Sequence, residues 1–201
     1  MRRVAASGAA LGVAAVTARL CHDRGGTTVG PAAGDRQIRD FGVRPDAAQP
    51  TLAIARSSRD PAELTRRAIG ALGGMGRFVS RGDVVAIKPN IGWDRLPVHA
   101  ANTNPAVVAE VVRLAFEAGA KTVVVTDVSC NEAQRSFQRS GIWSAAHAVG
   151  ATVVLPAEHR FRSMHLGGEI LREWPVFTPL VGADRVINVP VAKHHNLARY
   201  T

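Results

Sequence analysis

Polar residues that suit anion binding or proton transfer follow three apolar segments of this chain. The set is Lys88, Asn90, Asp127, Lys193, His194 and His195. A lysine ammonium attracts a carboxylate or phosphate, and an imidazole takes up and releases a proton near neutral pH. We therefore expect Lys88 and Asn90 to bind an anionic substrate, and Lys193 and His195 to be the catalytic pair.

A metal site is a variant of this idea, with Asp127 and His195 as ligands of a divalent ion and water completing the coordination. The other histidines are not spaced as ligands on one helix face, and we assign them to the surface or to packing. Each residue alone also has an ordinary structural explanation, since a lysine after a strand extends to water and an aspartate caps the next turn. Convergence of the set is what favours a site.

Buried strands are predicted over Val84–Ile87, Thr122–Thr126 and Arg185–Val189, because unbroken β-branched runs are typical of strands covered on both faces. Helices are expected between them, which predicts right-handed parallel connections. The carboxyl ends of such strands meet at one edge, where open α/β sheets bind ligands. The long loop Asn90–Thr103, which carries Trp93, Asp94, Arg95 and His99, lies at this edge and is a candidate functional loop.

The remaining elements complete an α/β fold with an open, mainly parallel, doubly wound (Rossmann-like) sheet and helices on both faces. Asp60-Pro61 and Asn104-Pro105 are helix starts, and the second helix should present its amino terminus to an anion. A further helix, interrupted near Gly141, is predicted over Ser136–Val149. Short strands are predicted over Thr51–Ala55 and Thr152–Leu155.

A small antiparallel insertion is predicted before the last strand. Its two strands would be Phe161–Leu166 and Glu169–Trp174, with Gly167-Gly168 as the hairpin turn between them.

The amino terminus has the pattern of an export signal. Arg2 and Arg3 precede an uncharged run, Val4–Ala18, that is too short to remain as a membrane span. We expect a twin-arginine-like signal peptide over 1–18, a disordered linker over 19–50, and a periplasmic or otherwise exported protein that meets the membrane only during export. The general secretory route and a retained cytoplasmic helix are the alternatives.

Composition excludes several classes of partner and cofactor. The formal charge of +9 comes from scattered arginines, and 5% aromatic residues offer little to stack on bases, so no nucleic-acid groove is predicted. Two cysteines, Cys21 and Cys130, cannot form a four-cysteine iron–sulfur site or a disulfide framework. A chain of 201 residues suits one globular domain.

Four segments, VVAIKPNIGW, NTNPAVVAEVVRLAFEAGAKTVVVTD, RSFQRSGI and ADRVINVPVAKHH, resemble the bacterial and archaeal family called domain of unknown function 362. The resemblance covers 51–201 and implies a polar signature of Lys88, Asn90, Thr103, Asp127, Lys193 and His195, which adds Thr103 to the substrate-binding group. The family continues with a further Lys-Asn and Gly motif, so we expect this domain to be incomplete at its carboxyl end. Some members carry ferredoxin-like cysteine clusters that this chain lacks.

Two functions stay open from the sequence. The first is an exported enzyme acting on a small anionic substrate, with or without a metal. The second is a noncatalytic exported binding module, or a partner of an iron–sulfur redox protein. The chain has no Gly-rich phosphate loop and no Gly-x-Ser-x-Gly elbow, which removes the readily recognised enzyme classes. Substrate, reaction and oligomeric state are open in both.

Overall fold

The computed structural model describes residues 36–44, 46–195 and 199–200. The chain divides into two compact units, Met1–Gln37 and Ile38–Thr201, and every element described below belongs to the second. The predicted signal peptide and the linker up to residue 35 lie outside the described residues. Among the residues that are described, no helix is long and apolar enough to cross a membrane.

The described ranges of the second unit contain eight strands and five α-helices, together with short 3-10 turns and loops. The strands are β1 (Val84–Pro89), β2 (Thr122–Val125), β3 (Thr152–Val153), β4 (Phe161–His165), β5 (Glu173–Phe177), β6 (Arg185–Val189), β7 (His194–His195) and β8 (Arg199–Tyr200). The helices are α1 (Pro61–Ala71), α2 (Pro105–Glu117), α3 (Ala133–Arg139), α4 (Ile142–Ala148) and α5 (Thr178–Val181).

The main sheet has four parallel strands in the order β3-β2-β1-β6. Its central strand β1 is apolar on both faces, and Val85, Ala86 and Ile87 are fully buried. Strands at the three predicted positions are therefore confirmed, as is the α/β class with a parallel sheet of Rossmann-like form. The predicted burial of the last strand is wrong, because β6 lies at the edge of the sheet and none of its residues is buried. Strand β3 is shorter than the predicted Thr152–Leu155, because pairing with β2 ends at Val153.

Helix boundaries follow the capping residues that the sequence offers. Asp60 accepts a hydrogen bond from the N–H of Ala62, and Asn104 accepts one from Ala106, so each satisfies a free amide of the first turn. The third predicted helix starts three residues early, because Glu132 caps it by accepting from two backbone N–H groups. Gly141, with φ 73°, separates α3 from α4 as predicted.

The hydrophobic core lies between the sheet and α1, α2 and α4. Helix α2 packs against both α1 and α4, and its buried residues join Val85 and Ile87 of β1 in one cluster. The connection from β3 to β6 runs back across the sheet and contains the β4–β5 hairpin and α5. A right-handed connection in this direction is expected to lie on the face opposite the longer helices.

The predicted strand Thr51–Ala55 is wrong. The segment forms no strand and belongs to no sheet, and Leu52 and Ile54 are 75% and 73% exposed. A short apolar run becomes a strand only where a neighbouring strand offers its backbone groups, and this segment has no such neighbour in the described ranges.

The antiparallel insertion is present, but its predicted tight turn is wrong. Strands β4 and β5 pair Phe161 with Phe177 and His165 with Glu173, so the connection spans 166–172. The N–H of Leu166 donates to the carbonyl of Arg172 at 2.8 Å, which closes this longer loop. Loop length sets hairpin register, and a Gly-Gly pair alone does not centre the turn.

Candidate functional site

The carboxyl edge of the sheet holds an ion pair between the ends of β1 and β2. Lys88 Nζ lies 2.9 Å from Asp127 Oδ1, and the side chains are 41% and 6% exposed respectively. The second carboxylate oxygen, Oδ2, accepts the N–H of Ile91 at 2.7 Å. Asp127 therefore joins β2 to the loop that leaves β1, and it holds Lys88 beside that loop.

Thr103 joins the ends of β1 and β6. Its hydroxyl accepts the N–H of Asn90 at 2.8 Å and donates to the carbonyl of Val189 at 2.7 Å. The N–H of Thr103 in turn donates to the carbonyl of Asn90. Thr103 is buried, so its hydroxyl is used within the protein. Its position explains why a polar residue stands at the end of this loop.

Lys193 reaches back from the segment after β6 to the loop after β1. Its Nζ donates to Asn90 Oδ1 at 2.6 Å and to the carbonyl of Ala101 at 2.8 Å. The ammonium also lies 5.9 Å from the centre of the Trp93 ring, within the range of a cation–π contact. Burial lowers the pKa of Lys193 below its usual value, although nearby Cys130 and Asp127 act in the opposite direction.

An open depression of about 680 Å³ lies over these contacts. Its walls come from the loop after β1 and from the segment after β6, and its lining residues are Trp93, Arg95, His99, Ala100, Ala101, Lys193, His194 and His195. Two of them, Arg95 and Lys193, are basic, three are histidines, and none is acidic. The depression therefore suits a small molecule with negative charge and a flat or apolar part that contacts the indole.

The structure brings together part of the predicted set directly. Asn90 links Thr103 to Lys193, and Lys193 shares the depression with His195. Lys88 and Asp127 pair with each other at the same edge but are not among the lining residues of the depression. The roles assigned to these residues in binding or catalysis stay predictions.

Three lining residues, Trp93, Arg95 and His99, were predicted only as part of a candidate functional loop and had no assigned role in binding or catalysis. His194 belonged to the predicted polar set and also had no assigned role. The sequence signal for the first three is the long loop after β1, which carries an aromatic ring, a guanidinium and an imidazole within seven positions. A loop of this kind beside a sheet edge is a frequent place for ligand contacts.

The loop itself is firmly attached. Buried Asn102 accepts the N–H of Trp93 at 3.0 Å and donates to its carbonyl at 2.7 Å. Asp94 forms an ion pair with Arg135 of α3 at 2.7 Å. Amides at the carboxyl side of β2 donate to the carbonyl of Gly92. Trp93 is therefore held at the rim of the depression by contacts that do not involve a ligand.

The described residues add no further ligand to the predicted anion site at the start of α2. They also add none to the predicted metal site. The side chain of Asn104 already accepts one of the first free amides of α2. Both oxygens of Asp127 are engaged, by Lys88 and by Ile91. In the described ranges, no group of three or more His, Cys, Asp or Glu residues could hold a metal ion.

A comparison with known protein families tests the resemblance that the sequence motifs indicate. Residues 85–201, more than half of the chain, match the family described as "Domain of unknown function (DUF362)". The chain belongs to the DUF362 family. The match begins inside β1 and therefore includes every residue of the candidate site from Lys88 onward. The family description assigns no activity, so the function must be argued from the geometry of the edge.

One curated relative of this DUF362 chain is the "Thylakoid-associated protein sll1697" of Synechocystis sp. (strain ATCC 27184 / PCC 6803 / Kazusa). The two are 32% identical over 136 residues, which is 65% of this chain and 40% of the relative. The chain thus spans less than half the length of this relative. No solved structure shows a significant match.

Proposed function

We propose that this DUF362 protein binds a small organic anion in the depression at the carboxyl edge of its sheet and acts on it as an enzyme. The observation that carries the proposal is the lining of the depression, where basic and imidazole groups surround one exposed aromatic ring without any carboxylate. Such a concave surface raises the local concentration of anions.

A second depression, of about 650 Å³, lies near the start of β6 and makes a useful contrast. It also contains arginines, but Asp40 and Asp46 are among its lining residues. Their carboxylates offset the positive charge and leave this second depression less suited to an anion. The carboxyl-edge depression combines the better charge with the better position in the sheet.

Three side chains of the depression have separate roles in the proposed function. Arg95 supplies a guanidinium that can hold a carboxylate or phosphate with two parallel hydrogen bonds. Trp93, which is 38% exposed, contacts the apolar or planar part of the ligand. His195 lies in the same depression and is the proton donor or acceptor of the proposed reaction.

Calorimetric titration of the full chain with a panel of small carboxylates and with inorganic phosphate tests binding. Arg95→Gln is expected to weaken the preferred anion by about tenfold, since a charge-assisted hydrogen bond contributes roughly 1.5–3 kcal/mol. Arg172→Gln, a matched change at an exposed arginine outside the depression, should leave affinity unchanged. Equal loss in both variants, or no heat with any anion, would overturn the proposal.

A noncatalytic binding module is the second candidate, and one observation favours it. Asn90, Thr103 and Asp127 all direct their side-chain groups to partners inside the protein, which indicates a prearranged framework. Incubating the protein with the anion that binds and following its mass distinguishes the two. For an enzyme, His195→Ala stops conversion while binding remains, whereas unchanged anion after long incubation with wild type indicates a binder.

We propose, finally, that the chain is exported. The support is the Arg2-Arg3 pair ahead of the apolar run Val4–Ala18. The relative's description as thylakoid-associated is compatible with a location outside the cytoplasm. Cell fractionation followed by terminal sequencing tests this, with a new amino terminus after Ala18 as the expected result. An intact Met1 on protein confined to the cytoplasm would contradict it.

A further inference from the structure

Lysine is rare in this chain, and the few lysines are not placed at random. The sequence has 25 basic residues of the Lys and Arg type, and only Lys88, Lys121 and Lys193 are lysines. Two of these three lie at the carboxyl edge of the sheet. Arginine provides a fixed charge, whereas a lysine amine can lose its proton and act as a nucleophile. Arginine is the basic residue almost everywhere else in the chain, whereas the carboxyl edge of the sheet has lysine amines.

The two lysines of the edge have opposite surroundings. Lys88 Nζ lies 2.9 Å from the carboxylate of Asp127 and forms an ion pair with it. Lys193 faces two neutral oxygens, those of Asn90 and Ala101. Two acceptors match the two N–H bonds of a neutral amine, and its lone pair is then left for a third direction. Of the two, only Lys193 lines the depression.

We propose that Lys193 is a carbonyl-reactive amine that forms an imine with an aldehyde or 2-oxo group of a small anionic substrate. This inference rests on the proposed function, because it assigns a substrate class to the same depression. The carboxylate of such a substrate would be held by Arg95, which places the adjacent carbonyl carbon toward the amine. The lowered pKa of Lys193, caused by burial, increases the fraction of neutral amine.

The chemistry needs no co-reactant. The lone pair of Nζ adds to the carbonyl carbon, one N–H proton leaves Nζ, and the carbonyl oxygen receives a proton to give a carbinolamine. The C–O bond then breaks as the oxygen takes a second proton and departs as water, while Nζ loses its other proton, which leaves an imine with a C–N double bond in place of the C–O double bond. Imidazoles are present in the same depression to carry the protons, since His194 and His195 both line it.

Borohydride trapping with glyoxylate tests the inference on the full chain. Brief exposure followed by digestion and mass spectrometry should show Lys193 modified at least about tenfold faster than Lys121, because binding brings the carbonyl beside the amine. Lys121 is exposed and serves as the internal control. Lys193→Arg should abolish the fast modification, and Lys121→Arg should leave it unchanged. Equal modification of the three lysines would overturn the inference.

A measurement on wild-type protein alone guards against a variant that fails to fold. Lactate has the carboxylate but no carbonyl, so it should slow the modification of Lys193 and leave Lys121 unaffected. If lactate binds in calorimetry but Lys193 is not trapped, the imine is wrong and the anion site stands. If neither lactate nor glyoxylate binds and no trapping occurs, the proposed function fails together with the inference.

Discussion

Thr103 connects two strand ends at the carboxyl edge through hydrogen bonds within the protein. Its hydroxyl satisfies the N–H of Asn90 and the carbonyl of Val189, which belong to the ends of different strands. Because Asn90 also accepts a hydrogen bond from Lys193, a change at Thr103 should be transmitted to the amine. Thr103 is therefore a positioning residue for Lys193 in our interpretation.

Thr103→Val tests this role because it keeps the shape and removes the hydroxyl. The free energy of unfolding should fall by about 1–3 kcal/mol, since a buried donor and a buried acceptor lose their partner. Thr103→Ser retains the hydroxyl and should cost clearly less. Chemical denaturation measures both, and a loss in Thr103→Ser as large as that in Thr103→Val would contradict the assignment of the effect to the hydroxyl.

At the same scale, the sequence predicted that the polar residues of the strand ends share one edge, but not every contact that they make there. Lys88 was expected to bind substrate and Asp127 a metal ion; in the structure they pair with each other, and their roles toward a ligand stay predictions. The reason is that strand position determines which edge a side chain reaches, while loop geometry determines what lies beside it there. Loop conformation depends on contacts such as the hydrogen bonds of Asn102, which no local sequence pattern predicts.

Turns between elements depend on two glycines whose backbone is left-handed. Gly119, with φ 98°, follows α2, and a Cβ there would lie 3.2 Å from the Cα of Arg81. Gly141, with φ 73°, separates α3 and α4, and a Cβ there would lie no closer than 3.7 Å to a neighbouring atom. The first position is thus restricted by both conformation and space, and the second by conformation alone.

Alanine substitutions at these positions should differ in cost. Gly141→Ala is expected to lower the free energy of unfolding by roughly 1–2 kcal/mol through the left-handed backbone alone. Gly119→Ala should cost more, because the backbone of Arg81 must also shift to admit the methyl group. Thermal denaturation of the two variants compares them, and a smaller loss for Gly119→Ala would contradict this account of the turn after α2.

Helix starts with capping residues and long β-branched runs were predictable, whereas a short apolar run and a hairpin register, which are decided by distant pairing, were not. Asp60 and Asn104 cap their own helices, so the starts of α1 and α2 could be read from a few residues. The run Thr51–Ala55 has the composition of a strand, but pairing is decided by the arrangement of the whole sheet. The β4–β5 register was missed for the same reason, since it depends on cross-strand pairs such as Phe161 with Phe177.

At the scale of the whole molecule, Asp184 connects three distant parts of the chain. It accepts the N–H of Val84 at 2.9 Å and forms an ion pair with Arg39 at 2.7 Å. These contacts, the hydrogen bond from Val84 first, lower the pKa of Asp184 below its usual value. Arg39, in the segment predicted to be a linker, therefore contacts the start of the sheet.

A lowered pKa in the folded state means that the carboxylate stabilises the protein at neutral pH and loses that effect in acid. Asp184→Asn should reduce the free energy of unfolding by at most about 1 kcal/mol, because the side chain is 38% exposed. The gap in the free energy of unfolding between wild type and variant should be constant above about pH 5, where an unfolded aspartate is almost fully ionised, and should shrink as the pH falls below that. Denaturation at several pH values measures this, and a gap that grows in acid would refute it.

The central claim is that one basic depression, with Lys193 in it, binds a small organic anion. It is tested most directly by NMR of the full chain labelled with ¹³C at the lysine ε-carbons, which gives three signals because there are three lysines. On titration with lactate, the signal of Lys193 should move and saturate, while that of exposed Lys121 stays in place. No movement of Lys193, or equal unsaturable movement of all three signals, would contradict the account.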